Sequence, residues 1–219
     1  TGAATALLGK VYLNQKKFNE ARTALSTVIS SGTFRLQSKI ADVFDVNNEY
    51  NSEIVFAVRY SKTIPGEAHD LNSNHNVQYM GLDAALLKAY EIADTRRDML
   101  NTVPIAASLA PVRKFYDTPF NGTLYGTDFP VIRYADVLLM YAEALNEIGY
   151  TANDEALTNL NAIRARAGAK LYTPTVLSDQ SKFREAIYDE RRLEFPLEEQ
   201  RWYDLLRTGR ATDAIKSLG

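Results

Sequence analysis

The fold of this chain is decided by the stretch Phe129-Pro-Val-Ile-Arg-Tyr-Ala-Asp-Val-Leu-Leu-Met-Tyr-Ala-Glu-Ala-Leu-Asn-Glu147. Its apolar positions alternate four and three residues apart, and they are Tyr134, Leu138, Tyr141, Leu145 and Ile148. This spacing places them on one face of an α-helix. We expect Pro130 to open the helix, because the first turn does not need its missing N–H, and Gly149 to end it in the left-handed conformation. The sequence therefore predicts a long helix that packs on other helices.

Residues 3–31 predict two antiparallel helices joined by a polar turn. The apolar residues of the first helix are Ala4, Leu7, Leu8, Val11 and Tyr12, and those of the second are Phe18, Ala21, Leu25, Val28 and Ile29. Their order and spacing match the tetratricopeptide pattern, which is a helix–turn–helix repeat. We expect Gly9 and Ala21 to lie where the two helices cross, because larger side chains would push the helices apart.

A second helix pair of the same kind follows residues 33–128. Ala142 and Leu145 take the places of Gly9 and Tyr12, and the second helix repeats the earlier spacing with Ala156, Leu160 and Ile163. Repeats follow one another directly in a continuous solenoid, so a large insertion divides them here. The predicted fold is mainly α, with tetratricopeptide-like helix hairpins in an α-α superhelix and a large irregular insertion that contains short strands. We expect one domain over 1–219, with a helix hairpin in 1–32, the insertion in 33–128, and a hairpin with the C-terminal helices in 129–219.

The insertion mixes short regular elements with irregular stretches. Alternating apolar residues predict a strand within Glu53–Tyr60, and Leu82–Ile92 predicts a short helix. Residues 100–130 contain several prolines and glycines, which break regular structure, together with aromatic residues. A long aromatic-rich loop either folds under its own side chains or carries function. After the second hairpin, we expect a helix from about Asp179 and a last helix over Leu197–Arg207.

Composition excludes several classes of protein. The net charge of −2 provides no basic footprint for nucleic acid. The chain has no cysteine, which removes disulfides, thiol nucleophiles and cysteine metal sites. No apolar run approaches the ~18 residues that span a bilayer. The first residues lack the layout of a signal peptide and resemble the inside of a helix, so we expect the chain to be a piece of a longer protein.

Six blocks of sequence, taken in series, resemble the SusD/RagB-type proteins, which are surface glycan-binding lipoproteins of glycan-foraging Gram-negative bacteria. In chain order, the blocks are Val28–Gly32; Val43-Phe44 with Ser52–Phe56; Asp94–Arg97; Arg133–Leu139 with Ala142–Asn146; Leu160–Gly168; and Glu190-Arg191 and Glu194-Phe195 with Arg201–Gly209. Each block is weak by itself, but their common order over nearly the whole chain is specific.

The resemblance implies a SusD-like fold in which helix pairs support an irregular, ligand-binding half. It also implies a non-enzymatic protein that is held on the cell outer membrane, exposed at the surface, by an N-terminal lipid. Such a protein caps a SusC-like TonB-dependent transporter and loads it with oligosaccharide or polysaccharide. The family's lipidated cysteine is absent from this chain, so membrane association through a lipid anchor would need a part that this chain lacks. The family also has Glu-Gly where this chain has Glu198-Glu199, which puts the local turn geometry in question.

Charged residues are frequent in the blocks near the C-terminus. Arginines and carboxylates interleave there, and they are Arg133, Asp136, Glu190, Arg191, Glu194, Arg201 and Asp204. A pair of carboxylates could perform acid–base chemistry, as in glycosidases. Interleaving with arginines instead favours a network of ion pairs that ties the last helices to the long helix, and we adopt this interpretation. We likewise expect Trp202 to be a core residue and not a platform for a sugar.

No cofactor and no metal ion are expected. His69 and His75, with Asp70, lack a recognised metal-ligand spacing. The oxygen-rich run 70–76 lacks the acidic spacing of a calcium loop. Nucleophile-elbow, phosphate-loop, dinucleotide and zincin motifs are not found in the sequence.

The aromatic residues of the insertion carry the functional hypothesis. A sugar ring has an apolar face that stacks on an aromatic ring and a polar edge that accepts and donates hydrogen bonds. The predicted ligand-binding residues combine both properties, and they are Tyr79, Tyr116, Tyr125, Phe120, Asn74, Gln78, Asp117 and Asn121. We expect Phe115 and Phe129 to form instead a small core of the loop.

The leading hypothesis is capture of an oligosaccharide at the cell surface for uptake through a partner transporter. The first alternative is a tetratricopeptide-like scaffold for protein interaction that does not bind sugar. The second alternative is a glycosidase, which would need to release reducing sugar.

Overall fold

The computed structural model describes residues 1–68, 84–100, 112–117 and 126–216. In chain order its elements are α1 (Gly2–Asn14), α2 (Phe18–Ser30), α3 (Ile40–Val43), β1 (Ile54–Val58), α4 (Ala84–Ala89), 3₁₀-helices at Thr95–Leu100 and Arg113–Phe115, β2 (Phe129–Arg133), α5 (Tyr134–Ile148), α6 (Glu155–Ala167), α7 (Gln180–Glu194), α8 (Gln200–Arg207) and α9 (Ala211–Lys216). The predicted mainly helical fold with short strands is confirmed, and the described part of the chain contains two strands, β1 and β2. No helix in the described part is long and apolar enough to cross a lipid bilayer.

The chain divides into two compact units. The first contains Thr1–Ser30, Asp136–Asn161 and Tyr172–Gly219, and the second contains Ser31–Ala135 and Ala162–Leu171. The insertion predicted over 33–128 falls within the second unit. The single domain expected over 1–219 remains a prediction.

The N-terminal hairpin of the first unit forms as predicted. Gly9 of α1 and Ala21 of α2 are both buried, and Leu25 is 0% exposed. A Cβ atom at Gly9 would lie 2.7 Å from Cγ and Cδ2 of Leu25. Glycine at this position therefore permits the close approach of the two helices.

The face of α1 that packs is not the one that the apolar residues indicate. Leu7, Leu8 and Val11 are all more than 40% exposed, whereas the buried residues of α1 are Ala6, Gly9 and Leu13. The large apolar residues of α1 are therefore not its buried residues, whereas Gly9 is buried as predicted. The small residues lie against α2 because they allow its close approach, and the larger apolar side chains are directed elsewhere.

The long helix α5 begins later than predicted. Pro130 does not open it: Pro130 lies in strand β2 and pairs with Ala57 of β1. Helix α5 starts at Tyr134 and ends at Ile148, and Gly149 is not among the residues with positive φ. Its predicted left-handed conformation was therefore wrong. Helix α6 follows as the second arm of the predicted hairpin, and the Tyr141 hydroxyl donates to Glu155 Oε2 at 2.8 Å.

Local signals account for the ends of the C-terminal helices. The Asp179 carboxylate accepts the backbone N–H of Lys182 at 2.9 Å and caps α7 as expected. Helix α8 starts at Gln200, later than predicted, because Leu197 and Glu199 both adopt positive φ, at 64° and 58°. Glu199 thus keeps the left-handed backbone that glycine would take at this position.

Trp202 is 50% exposed, so its predicted place in the core was wrong. The one buried residue of helix α8 is Asp204. Two residues along an α-helix correspond to a rotation of about 200°, so Trp202 points away from the side that Asp204 occupies.

In the second unit, β1 and β2 form an antiparallel pair with register irregularities on either side of Phe56. The predicted strand is confirmed, although its buried residue is Val55 and Phe56 is exposed. Glu53, just before β1, is 0% exposed and accepts from Arg133 Nη1 at 2.6 Å and from Arg166 Nη1 at 2.9 Å. Buried charges are tolerated only when they are paired in this way, so Glu53 fixes the start of β1.

Candidate functional site

The β pair brings together segments that are distant in sequence. Val58 is paired with Phe129, so residues 59–62, after β1, lie beside residues 126–128, before β2. The cluster of side chains at this place is called the strand-end cluster below. Its members are Glu49, Tyr50, Arg59, Lys62, Asp117 and Asp128.

Two of the predicted ligand-binding residues belong to the described part of the chain. Tyr116 is half-buried, and Asp117 is 2% exposed. The remaining six lie outside the described residues, and they are Asn74, Gln78, Tyr79, Phe120, Asn121 and Tyr125. His69 and His75 lie outside them as well.

The Asp117 carboxylate is held by two donors. Lys62 Nζ lies 2.6 Å from Oδ1, and the backbone N–H of Gly126 donates to Oδ2 at 2.9 Å. These contacts join the residues that precede and follow segment 118–125, which carries Phe120, Asn121 and Tyr125. Asp117 therefore fixes both ends of that segment to the strand pair.

Gly126 is required by the close approach of two backbone segments. A Cβ atom at this position would lie 2.7 Å from the backbone nitrogen of Lys62. Backbone cannot give way as a flexible side chain can, so any larger residue would push residues 61–62 away from the Asp117 carboxylate.

The Asp128 carboxylate organises the other half of the strand-end cluster. Its Oδ2 lies 2.5 Å from Arg59 Nε, and its Oδ1 accepts the Tyr60 backbone N–H at 3.0 Å. The backbone N–H of Asp128 donates to Glu49 Oε1 at 2.9 Å. Burial raises the pKa of Glu49; the Asp128 N–H opposes this effect and the negative charge of Asp128 adds to it.

Tyr50 is the one aromatic member of the strand-end cluster, and 81% of its surface is accessible to solvent. The guanidinium carbon of Arg59 lies 4.1 Å from the centroid of its ring, and Arg59 Nη1 donates to the Tyr50 hydroxyl. Neither residue was predicted to bind ligand from the sequence. The available signals were an aromatic residue in a polar turn before β1 and a cation immediately after β1.

Aromatic rings form a buried layer beside these segments. Phe115 lies 5.4 Å from Phe44, edge to face, and 6.1 Å from Phe129, stacked. Phe115 is 4% exposed. The predicted small core is therefore confirmed for Phe115, and Phe129, which stacks on it, is half-buried.

The predicted ion-pair network is found in the first unit. Arg191 donates from Nη1 to Asp136 at 2.7 Å and from Nε to Asp204 at 2.8 Å. Lys10 also binds Asp136, at 3.0 Å, and Arg207 connects Asp204 to Glu143. Asp136, Arg191 and Asp204 were predicted members of this network, whereas Lys10, Glu143 and Arg207 were not. Arg133, which was also predicted to belong to it, lies in the second unit and binds Glu53.

Asp136 and Asp204 of this network stay ionised. Burial opposes ionisation of Asp136, but the charges of Lys10 and Arg191 outweigh it and hold the pKa of Asp136 well below its usual value. Burial likewise opposes ionisation of Asp204, and Arg191 and Arg207 hold its pKa below the usual value. A general acid needs a raised pKa, so these carboxylates have structural roles. In the described part of the chain, no three histidine or acidic residues form a cluster that could hold a metal ion.

A sequence model of the SusD family matches residues 106–217. Among curated proteins, SusD-like protein P25 of Formosa agariphila is 28% identical over 278 aligned residues, which cover 99% of this chain and 51% of that protein. The chain thus spans about half the length of this relative.

Solved structures share the fold. A SusD-like carbohydrate-binding protein from Bacteroides fragilis superposes with a TM-score of 0.79 at 23% identity, over 95% of this chain and 52% of that one. Surface glycan-binding protein A from Bacteroides uniformis superposes with a TM-score of 0.73 at 23% identity, over 95% of this chain and 49% of that one. Identity this low shows the fold alone.

Proposed function

Because the chain belongs to the SusD family, we propose that it takes part in binding an oligosaccharide or polysaccharide at the cell surface without cleaving it. Two of the similar proteins are named for binding carbohydrate or glycan. The family therefore suggests the class of ligand, and the strand-end cluster suggests where the ligand contacts this chain.

The observation that carries this proposal is the position of Asp117. Its carboxylate joins Lys62 and the Gly126 N–H, so the segment 118–125 starts and ends at a fixed place beside the strand pair. That segment supplies Phe120, Asn121 and Tyr125, whose aromatic and amide groups suit a sugar's apolar face and hydroxyl edge. We assign ligand binding to these residues together with Tyr116, Tyr79, Asn74 and Gln78.

The proposed partner is a SusC-like TonB-dependent transporter. The protein would be anchored to the outer membrane by a lipid on a part of the full-length protein that precedes this chain. It would present its captured glycan to the transporter. Copurification of the two proteins from outer-membrane extracts, lost on deletion of the lipidated segment, would test this arrangement.

Absence of catalysis is also part of the proposal. In the first unit the buried carboxylates Asp136, Asp204 and Glu143 each contact at least one arginine. In the strand-end cluster, Asp128 and Asp117 are paired with Arg59 and Lys62. Paired carboxylates of this kind position neighbouring groups and do not supply the proton that glycoside cleavage needs.

A protein-interaction scaffold is the second candidate, and exposed apolar side chains favour it. Leu7, Leu8 and Val11 of α1 are more than 40% exposed, and Trp202 and Leu206 of α8 are about half exposed. Apolar surface of this kind commonly marks contact with another protein. Binding of a protein partner in the absence of any sugar binding would favour this candidate.

Isothermal titration against a panel of oligosaccharides tests the proposed function. We expect saturable binding to at least one sugar, and we expect the Tyr116→Ala/Tyr125→Ala variant to lose tenfold or more in affinity, or about 1.4 kcal/mol. Tyr203→Ala is the matched control, because Tyr203 is 63% exposed on α8 of the other unit. Failure of the folded protein to bind any sugar would contradict the proposal.

A further inference from the structure

Tyr50 and Arg59 form an exposed pair outside the residues that the sequence assigned to ligand binding. The Tyr50 ring is 81% exposed, yet it is tethered through its hydroxyl and through the guanidinium of Arg59, whose central carbon lies 4.1 Å from the ring centroid. An exposed aromatic side chain is normally free to rotate. Here the contacts with Arg59 hold the ring in one orientation while leaving most of its surface open to a ligand.

The turn that carries Tyr50 is also fixed. The Asn51 side chain is 7% exposed, and its Nδ2 donates to the Val43 carbonyl at 3.1 Å and to the Asn48 carbonyl at 2.8 Å. At the start of the turn, Asp45 Oδ1 accepts the Asn47 N–H at 2.9 Å. Both the backbone and the ring of Tyr50 are therefore positioned before any ligand binds, which reduces the entropic cost of binding.

Unused hydrogen-bonding groups accompany the ring. Arg59 uses Nε for Asp128 and Nη1 for Tyr50, and its Nη2 group has no hydrogen-bond partner within residues 1–68, 84–100, 112–117 and 126–216. Glu49 accepts the Asp128 N–H with Oε1, and its Oε2 has no partner within the same ranges. One free donor and one free acceptor match a sugar hydroxyl pair, in which one oxygen accepts and the neighbouring hydroxyl donates.

The charges around the ring disfavour an anionic ligand. Arg59 is balanced by Asp128 and Lys62 is balanced by Asp117, at 2.5 Å and 2.6 Å. Glu49 then remains as a negative charge with no cation bonded to it in the described part of the chain, and Asp45 stands at the start of the same turn. Among the charged side chains of the strand-end cluster, a sulfate or uronate would meet three carboxylates, Glu49, Asp117 and Asp128, and two cations, Arg59 and Lys62.

We propose that Tyr50, Arg59 and Glu49 form a subsite for one uncharged pyranose ring of the bound glycan. The C–H face of the sugar stacks on the ring face of Tyr50 that Arg59 leaves open, and hydroxyls at the edge of the sugar contact Arg59 Nη2 and Glu49 Oε2. This inference rests on the proposed function and adds a subsite and a charge preference to it.

The test is isothermal titration of the protein with four neutral hexasaccharides, namely maltohexaose, cellohexaose, xylohexaose and mannohexaose, and with two anionic ones, hexagalacturonate and a carrageenan hexasaccharide. We expect a neutral hexasaccharide to bind and Tyr50→Ala to weaken its binding tenfold or more. Tyr50→Phe keeps the ring and should stay within about threefold of the unaltered protein. Tyr203→Ala, an exposed tyrosine on α8, should not change the affinity.

The possible outcomes separate the subsite from the proposed function. Binding that is equally strong in Tyr50→Ala and Tyr203→Ala would overturn the subsite and leave the proposed function standing. Tighter binding of the anionic hexasaccharides would overturn the charge preference. Loss of affinity in Tyr50→Phe equal to that in Tyr50→Ala would overturn stacking as the source of affinity, because the ring and the guanidinium over it are kept and only the hydroxyl is lost. No binding to any of the six sugars would count against the proposed function itself and would remove the subsite with it.

Discussion

Asp136 and Arg191 are joined by a charged hydrogen bond of 2.7 Å between side chains that are each 2% exposed. This pair connects the first turn of α5 to α7 inside the first unit. A buried ion pair stabilises the fold only when its hydrogen-bond geometry is good. Removal of one partner leaves the other charge buried without compensation, which destabilises the folded state.

Asp136→Asn should therefore lower the free energy of unfolding by about 3–5 kcal/mol, the range found when one partner of a buried pair is removed. Chemical denaturation followed by circular dichroism measures this change. Asp213→Asn, which alters an exposed carboxylate on α9, is the control and should unfold like the unaltered protein. Equal stability of the two variants would show that the buried pair contributes little.

The same pair predicts how stability depends on pH. The pKa of Asp136 is lower in the folded protein than in the unfolded chain, so the folded state gains stability from it at neutral pH. This contribution is complete above the ordinary value of 3.8 and is lost as the pH falls below it. Melting temperatures measured from pH 7 to pH 2 should fall less steeply for Asp136→Asn than for the unaltered protein, and parallel curves would contradict the assignment.

Gly9 and Leu25 should show strong coupling. Gly9→Ala places a Cβ atom 2.7 Å from a Leu25 side chain that is 0% exposed, so overpacking should outweigh the gain in helix propensity and destabilise the protein by about 1 kcal/mol. In a Leu25→Ala background, the clash is removed and the same substitution should stabilise. A double-mutant cycle by chemical denaturation measures the reversal of sign. Gly149→Ala, with no neighbouring atom within 4 Å of its Cβ position, should be nearly neutral.

Replacement of Glu199 by glycine should increase the stability of the protein. Its φ of 58° is a left-handed conformation that costs a residue with a side chain roughly 1–2 kcal/mol. Glu199→Gly should raise the melting temperature by a few degrees, because a gain of about 1 kcal/mol corresponds to about 2–4 °C in a chain of this size. Glu199→Ala keeps the Cβ atom and should melt like the unaltered protein. A lower melting temperature for the glycine variant would mean that the Glu199 side chain makes a stabilising contact.

Arg133→Ala should separate stability from recognition. Arg133 and its partner Glu53 are both 0% exposed, so the substitution should cost about 3–5 kcal/mol of stability. A sugar cannot reach a buried guanidinium, and the affinity measured below the melting temperature should stay nearly unchanged. Lost affinity at an unchanged melting temperature would place the binding site near Arg133.

Local patterns in the sequence were sufficient for the helix hairpins. Each of these patterns involves residues of only one or two helices: the spacing of Leu138, Tyr141 and Leu145, and the tetratricopeptide pattern around Gly9. Both hairpins formed as expected. The buried face of α1 could not be obtained in this way. Leu7 and Leu8 are as apolar as any core residue, and the crossing expected at Gly9 did not show that these two side chains would be exposed.

The start of the long helix and the strand-end cluster could not be predicted, because both depend on pairing between segments that are distant in sequence. Pro130 suits the first turn of a helix and also an edge strand, and the pairing of β2 with β1 decides between them. The strand-end cluster depends on the same pairing, which brings Arg59 next to Asp128 and Tyr50. Residues 49 and 50 looked like an ordinary polar turn in the sequence, because their partners lie after β1 and before β2.

The measurement that tests the central claim most directly is a titration of the protein with the oligosaccharide that it binds, followed by recovery of that sugar and mass spectrometry of its length. We expect saturable binding and a ligand that is recovered intact after prolonged incubation. A sugar that is shortened by the protein, or a folded protein that binds none of the sugars, would contradict non-catalytic glycan binding.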